Sequence, residues 1–251
     1  MTAAPRAGWT AQSVRPSLKS VDAWWTVLVV DPVAVRVLPL VLRCRWATPN
    51  VLTLVAGILG VGSGAAFLSG APVVGGLLFE FSFFFDCLDG KVARLRGGGS
   101  RFGGFLDRSV DLVILTWVYS ALGLWLGSGG GVPAPLSLLP AVVALVWSWS
   151  NQYLAATRQT LPAATPVTNA PSTAFRRLIP GRRLTRLPSS VDAANLSLFL
   201  APVTASRTVM VATLWLVTGG FFLPAALHNF YATARLLTRP EHAPVHTDVT
   251  E

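Results

Sequence analysis

Four aspartates in a short stretch between two apolar segments are the residues best suited to chemistry. Asp86 and Asp89 are three positions apart and Asp107 and Asp111 are four apart, so on helices each pair lies on one face. The Gly-Gly-Gly-Ser sequence at 97–100 permits a sharp reversal, so we expect the two helices to be antiparallel neighbours. The sequence therefore predicts that all four carboxylates meet in one cluster.

Four neighbouring carboxylates repel one another, and burying them costs several kcal/mol unless positive charge joins them. Hard divalent cations with oxygen ligands, such as Mg²⁺ or Mn²⁺, would supply that charge. Two such ions can stabilise the attacking and leaving oxygens in a displacement at phosphorus. Pairing with Lys91, Arg94 or Arg108 is the alternative, and a purely structural ion-pair cluster stays open at this point.

The residues between the carboxylates favour a phosphate-bearing ligand. Gly90 follows Asp89, and Gly103 lies one turn before Asp107. Glycine costs a helix about 1 kcal/mol relative to alanine, so we infer that something large approaches the backbone there. Arg94 adds a guanidinium fork that can bind a phosphate.

The rest of the chain is composed like a membrane protein. Of its 251 residues, 52% are hydrophobic and 12% are charged, whereas a soluble domain has about 25% charged residues. Apolar runs predict an all-α, polytopic membrane protein with six transmembrane helices, the fifth cut short by Pro202. The predicted spans are 51–69, 73 into the aspartate stretch, 102–126, 136–156, 191–204 and 208–237.

Basic residues are distributed asymmetrically about these spans. Of the 20 lysines and arginines, all except Arg207 fall on one side of the six-span arrangement. The positive-inside rule makes that side cytoplasmic. We therefore predict a multi-pass protein of the cell membrane with both termini and the active site on the cytoplasmic side.

The region before the first span has a different character. Residues 22–45 predict an interfacial amphipathic helix, and a plain connecting helix packed on the bundle fits them equally well. The predicted division of the chain is a polar N-terminal segment (1–20), a membrane domain (21–238) and a polar C-terminal tail (239–251).

The aspartates and the residues between them form a motif with fixed spacing. It reads Asp86-x2-Asp89-Gly90-x2-Ala93-Arg94-x8-Gly103-x3-Asp107-x3-Asp111. This motif resembles the signature of the CDP-alcohol phosphotransferase family at every fixed position. Thr48-Pro49-Asn50 at the start of the first span and the six-span plan extend the resemblance over most of residues 20–238, although only the motif is specific.

The resemblance implies a metal-dependent CDP-alcohol phosphatidyltransferase of phospholipid biosynthesis. Such enzymes displace CMP from a CDP-linked alcohol, usually CDP-diacylglycerol, with the hydroxyl of a small alcohol acceptor such as inositol phosphate or glycerol phosphate. The product is a phosphodiester. The resemblance also implies two divalent cations, Mg²⁺ or Mn²⁺, as cofactors. Membrane lipids, a CDP-linked lipid donor and a second copy in a homodimer are the implied partners, without nucleic acid.

By position, the resemblance assigns three roles to residues of this chain. The roles are metal ligand (Asp86, Asp89, Asp107 and Asp111), general base (Asp111) and CDP pocket, with walls from Gly90, Ala93, Arg94, Ser100 and Gly103 and closure from the first span by Pro49, Asn50 and Thr53.

Two other interpretations compete with an enzyme. A cation- or proton-coupled transporter would also use intramembrane aspartates, but it would not need the Gly-Ala-Arg residues between them, and the spans show no inverted repeat. An inactive scaffold of the same fold is the second, and the intact motif argues against it. The basic stretch 176–186 fits either anionic lipid headgroups or a phosphorylated acceptor, so the sequence leaves the acceptor open.

Overall fold

The computed structural model describes residues 8–129, 133–160, 184–185 and 189–238, whose secondary structure elements are helices, with no β-strand among them. The helices are α1 (Asp31–Arg43, preceded by a π-helical turn at Thr26–Val30), α2 (Pro49–Leu68), α3 (Pro72–Leu95), α4 (Arg101–Ser128), α5 (Ala134–Ser137), α6 (Leu139–Thr160), α7 (Ser190–Asn195, continued by Leu196–Leu200 and Ala201–Val203) and α8 (Arg207–Val217, continued by Thr218–Phe222 and Leu223–Leu237).

Each predicted span is helical close to its predicted bounds. Among the described residues, three helices are long and apolar enough to cross a membrane, namely Pro49–Leu68, Arg101–Ser128 and Arg207–Leu237. The all-helical class and the membrane-spanning helices are therefore confirmed, whereas the count of six spans stays a prediction.

Local sequence signals set the start of the two helices that flank the site. Thr48 caps α2 by accepting a hydrogen bond from the Val51 backbone N–H, and Pro49 occupies the first turn, where its missing N–H is not needed. Ser100 caps α4 in the same way, with 2.9 Å between its Oγ and the Gly103 nitrogen. Gly97, in the connection before this cap, has a φ of 97°, a conformation that residues with a side chain rarely adopt.

Helix α2 packs between α3 and α4 and holds them in place. A Cβ atom on Gly60 would lie 2.4 Å from Ile114 Cγ2, and one on Gly64 would lie 2.1 Å from Trp117 Nε1. The two backbones therefore approach as closely as glycine allows, as expected for small residues between membrane helices. In contrast, α3 and α4 contact each other much less than either contacts α2. The two aspartate helices thus face each other across a gap instead of packing side by side.

Two hydrophobic clusters hold the helices together. One joins α4, α6, α7 and α8 around side chains that include Tyr119, Leu198 and Phe222. The other joins α1, α2 and α3 with the N-terminal segment, and includes Val14 and Leu88. Together they fix the helices that carry the site.

Helix α1 buries one face and exposes the other. Ala34, Leu38 and Leu42 are buried, whereas Val33 and Leu40 are exposed. Its interfacial placement stays a prediction. Residues 8–20 of the predicted N-terminal segment reach this second cluster through Val14. Residues 1–7 and the predicted C-terminal tail lie outside the described residues.

Candidate active site

The four aspartates come together as the helical spacing predicts. Asp86 and Asp89 on α3 and Asp107 on α4 each offer a carboxylate oxygen, and these three oxygens lie within 4.8 Å of one another. Asp111 lies one turn further along α4, and its carboxylate neighbours that of Asp86. The structure therefore brings four acidic side chains from two helices into one place.

This cluster suits divalent cations better than protein cations. In the part of the chain that the structure describes, no lysine or arginine forms a salt bridge with any of the four aspartates. Like charges at this separation repel strongly in a poorly solvated site. Oxygen ligands are those that Mg²⁺ and Mn²⁺ prefer. The residues present therefore fit a divalent metal centre.

Lys91 has a different partner from the one that the sequence offered as an alternative. Its ammonium lies 3.1 Å from the carboxylate of Asp31 on α1, and both side chains are buried, at 3% and 5% exposure. The Lys91 Nζ also donates to the Cys87 carbonyl at 3.2 Å. Lys91 therefore ties α1 to α3 beside the motif, and Asp31 is a residue that sequence reasoning did not single out.

Thr53 contacts the cluster directly. Its hydroxyl donates a hydrogen bond to Oδ2 of Asp89 at 2.5 Å, and both residues are buried. The hydroxyl also lies 3.1 Å from the Pro49 carbonyl, one turn earlier on α2. The resemblance places Thr53 in the segment that closes the CDP pocket, and the structure shows that it orients one of the carboxylates.

Asn50 and Ser100 lie close to Gly103. A Cβ atom on Gly103 would lie 3.0 Å from Asn50 Oδ1 and 3.1 Å from Ser100 Oγ. This glycine therefore allows the start of α2 to approach the start of α4. The same side chain at Ser100 caps α4, so a local structural role accounts for it.

A cavity of about 930 Å³ opens beside the aspartates. Of the predicted pocket residues, Gly90 and Arg94 line it, together with all four aspartates. The other predicted pocket residues lie outside its lining, and their contact with a CDP group stays a prediction; they are Pro49, Asn50, Thr53, Ala93, Ser100 and Gly103.

The far side of the cavity comes from helices that the sequence did not assign to the site. Asn151 and Gln152 on α6 and Asn195 on α7 line it, and Trp147 and Phe222 add aromatic surface. An Asn-Gln pair inside an apolar span was the available signal, because amides are costly in lipid unless they face a partner or a cavity. Lys19 and Asp22 from the N-terminal segment complete the lining.

Comparison with known sequences gives a consistent group of relatives. A family model described as CDP-alcohol phosphatidyltransferase matches residues 46–223. Phosphatidylinositol phosphate synthase of Corynebacterium glutamicum is 33% identical over 130 residues, which are 51% of this chain and 57% of the relative. Archaetidylinositol phosphate synthase of Pyrococcus horikoshii is 36% identical over 64 residues, 26% of this chain and 34% of the relative. The matches thus span less than two thirds of these relatives.

Solved structures share the fold. Phosphatidylinositol phosphate synthase of Mycobacterium tuberculosis with CDP-DAG bound has a TM-score of 0.62 at 20% identity, covering 85% of this chain and 99% of that one. The same enzyme in complex with manganese and citrate has a TM-score of 0.58 at 20% identity, covering 83% and 92%.

Proposed function

The chain belongs to the CDP-alcohol phosphatidyltransferase family, and on that premise we propose that it transfers a phosphatidyl group from CDP-diacylglycerol to the hydroxyl of a phosphorylated alcohol. The observation that carries this proposal is the convergence of Asp86, Asp89 and Asp107 within 4.8 Å, beside Asp111, in a cavity of about 930 Å³. The comparisons give no support to the transporter alternative.

The reaction is a displacement at the phosphorus that carries the diacylglycerol. The acceptor hydroxyl oxygen forms a bond to this phosphorus, and the bond from the phosphorus to the CMP oxygen breaks. CMP leaves with that electron pair, and the hydroxyl proton passes to a carboxylate of the site. The product is a phosphodiester that joins the lipid to the acceptor.

The exposure of each aspartate side chain indicates which role it can take. Asp89 is 5% exposed and is held by Thr53, so it suits a fixed ligand. Asp111 is exposed to the cavity, so it suits a general base that takes the acceptor proton. Asp86, Asp89, Asp107 and Asp111 would hold two divalent cations, Mg²⁺ or Mn²⁺, which when bound stabilise charge on the attacking and leaving oxygens.

Phosphorylated inositol is the acceptor that we propose first, because the relatives reported above are named as inositol phosphate lipid synthases. The amides of Asn151, Gln152 and Asn195 in the cavity lining offer donors and acceptors for a hydroxyl-rich ring. Glycerol phosphate is the second candidate. Arg94, which also lines the cavity, would bind a phosphate of the donor.

The arrangement in the membrane extends this proposal. We propose six spans, with α1 at the interface and the termini and the active site on the cytoplasmic side, on the strength of the basic residue distribution. Exposed apolar side chains such as Ile58, Phe105 and Val113 would face membrane lipids or the second copy of a homodimer.

CMP release by the purified protein in nanodiscs tests the function. CDP-diacylglycerol is supplied with inositol phosphate, glycerol phosphate, inositol, serine or no acceptor, with Mg²⁺, Mn²⁺ or excess EDTA. We expect CMP only when both metal and acceptor are present, and fastest with inositol phosphate. No CMP with any acceptor would contradict the proposed transfer, and full turnover in excess EDTA would contradict its metal dependence.

A further inference from the structure

We propose that Lys19 is a phosphate-binding residue of this cavity, held there by the chain segment 14–25, which we call the N-terminal strap. The inference rests on the proposed function and concerns a residue outside the family motif. Its ligand is a phosphate group of the substrates, either the diphosphate of the CDP-linked donor or the phosphate of the acceptor.

The first end of the strap is fixed to the motif helix. Val14 is fully buried and Ser17 is 1% exposed. The Arg94 Nε donates a hydrogen bond to the Ser17 carbonyl at 2.6 Å. Arg94 also lies against Gly90, where a Cβ atom would be 3.5 Å from its Nη1. The strap therefore begins directly beside the Gly90–Arg94 part of the motif, two residues before Lys19.

The second end of the strap is fixed to Thr185 and to α7. The Thr185 backbone N–H donates to the Asp22 carbonyl at 3.0 Å, and the Trp24 indole donates to the Thr185 carbonyl at 2.8 Å. The Trp25 backbone N–H donates to the Asp192 carboxylate at 2.5 Å. With both ends fixed, the strap runs along the cavity from α3 to α7.

Lys19 lies between these two anchors and lines the cavity with Asp22. Its ammonium is 3.9 Å from the Asp22 carboxylate, and the side chains are 58% and 16% exposed. An ion pair this long and this exposed contributes little. Exchanging the Asp22 contact for one with a phosphate oxygen would therefore lose little.

The basic residues that line the cavity indicate what Lys19 can contribute to ligand binding. Lys91 also lines the cavity, but its charge is matched by Asp31 in a buried pair. Arg94 and Arg108 are the other basic residues in the described part of the lining. A donor and an acceptor that both carry phosphate bring several negative charges, and lysine is a flexible point charge suited to phosphate. Lys19 supplies positive charge from a part of the chain that the motif does not cover.

The experiment compares Lys19→Gln with Arg15→Gln. Each variant removes one exposed positive charge from the same part of the chain, but Arg15 does not line the cavity. Equilibrium binding of CDP and, separately, of inositol phosphate and glycerol phosphate is measured by calorimetry with Mn²⁺ present. KM values for donor and acceptor follow from CMP release. Thermal unfolding checks that both variants fold as the unsubstituted protein does.

We expect Lys19→Gln to weaken one probe by about three- to tenfold, less than a buried charged hydrogen bond because the site is partly exposed. Weaker CDP binding with a higher donor KM identifies the donor diphosphate as the ligand. Weaker binding of the phosphorylated acceptors with a higher acceptor KM identifies the acceptor phosphate. Arg15→Gln should change neither.

Unchanged binding of all three probes in Lys19→Gln overturns the inference, as does an equal effect of Arg15→Gln. Because equilibrium binding is measured without turnover, unchanged binding is distinct from failure of the proposed function. That failure would be absence of CMP release by the unsubstituted protein with every acceptor.

Discussion

Thr53→Val should weaken metal binding without unfolding the protein. Valine has nearly the shape of threonine, so the buried space is kept, but it cannot donate to Asp89 Oδ2 as the Thr53 hydroxyl does at 2.5 Å. A hydrogen bond to a charged group contributes about 1.5–3 kcal/mol. Loss of a residue that orients a metal ligand commonly lowers metal affinity about 10–100-fold.

The assay is CMP release as a function of free Mg²⁺ in a metal buffer, with Mn²⁺ binding followed by electron paramagnetic resonance. We expect the half-saturating Mg²⁺ concentration to rise about 10–100-fold, while saturating metal restores most of the turnover because the carboxylates themselves remain. Thr53→Ser is the matched control, because it keeps the hydroxyl and should behave as the unsubstituted protein does.

A half-saturating concentration for Thr53→Val close to that of Thr53→Ser would refute this reasoning. The hydroxyl would then serve only the Pro49 carbonyl on its own helix, 3.1 Å away. A rise in donor KM at saturating metal would instead favour the interpretation of Thr53 as part of the segment that closes the CDP pocket.

Three further predictions concern packing and donor binding. Lys91→Met should destabilise the protein by about 3–5 kcal/mol in thermal or denaturant unfolding, because it leaves the Asp31 charge buried. The double variant Lys91→Met with Asp31→Leu should recover most of that loss. A double variant as unstable as the single one would contradict this. Gly64→Leu should lower thermal stability and activity by keeping α2 away from α4, since even a Cβ would lie 2.1 Å from the Trp117 indole. Unchanged thermal stability and activity would show that the contact tolerates a shift. Arg94→Ala should raise the donor KM about tenfold or more, as expected for a lost charged hydrogen bond to phosphate. Unchanged donor KM and kcat would show that Arg94 binds only the Ser17 carbonyl.

Local patterns predicted the helices and the aspartate cluster because both depend on short spacing. Apolar runs of bilayer length gave helix bounds close to those observed, and Thr48 and Ser100 mark helix starts by capping rules that operate within one turn. Asp86 with Asp89 and Asp107 with Asp111 share a face by helical geometry alone. The convergence of the two pairs followed from the short connection between the helices.

Contacts between distant parts of the chain could not be predicted in the same way. The Lys91–Asp31 pair joins two helices, and nothing in the spacing of either residue indicates the other. The gap between α3 and α4 depends on α2, whose glycines bring it close to α4. The position of the strap along the cavity depends on two hydrogen bonds to the Thr185 backbone, one with the Asp22 carbonyl and one from the Trp24 indole, and neither has a sequence signature.

The most direct test of the central claim separates the base from the other ligands in the aspartate cluster. Asp111→Asn keeps an oxygen near the metals but cannot accept the acceptor proton, whereas Asp86→Asn removes ligand charge. CDP-donor affinity and CMP release are measured for both variants at saturating Mg²⁺. We predict that Asp111→Asn retains most of its donor affinity while turnover falls about 10²–10⁴-fold, and that Asp86→Asn loses donor affinity as well. Turnover of Asp111→Asn near the rate of the unsubstituted protein, or a loss of donor affinity equal to that of Asp86→Asn, would contradict the assignment.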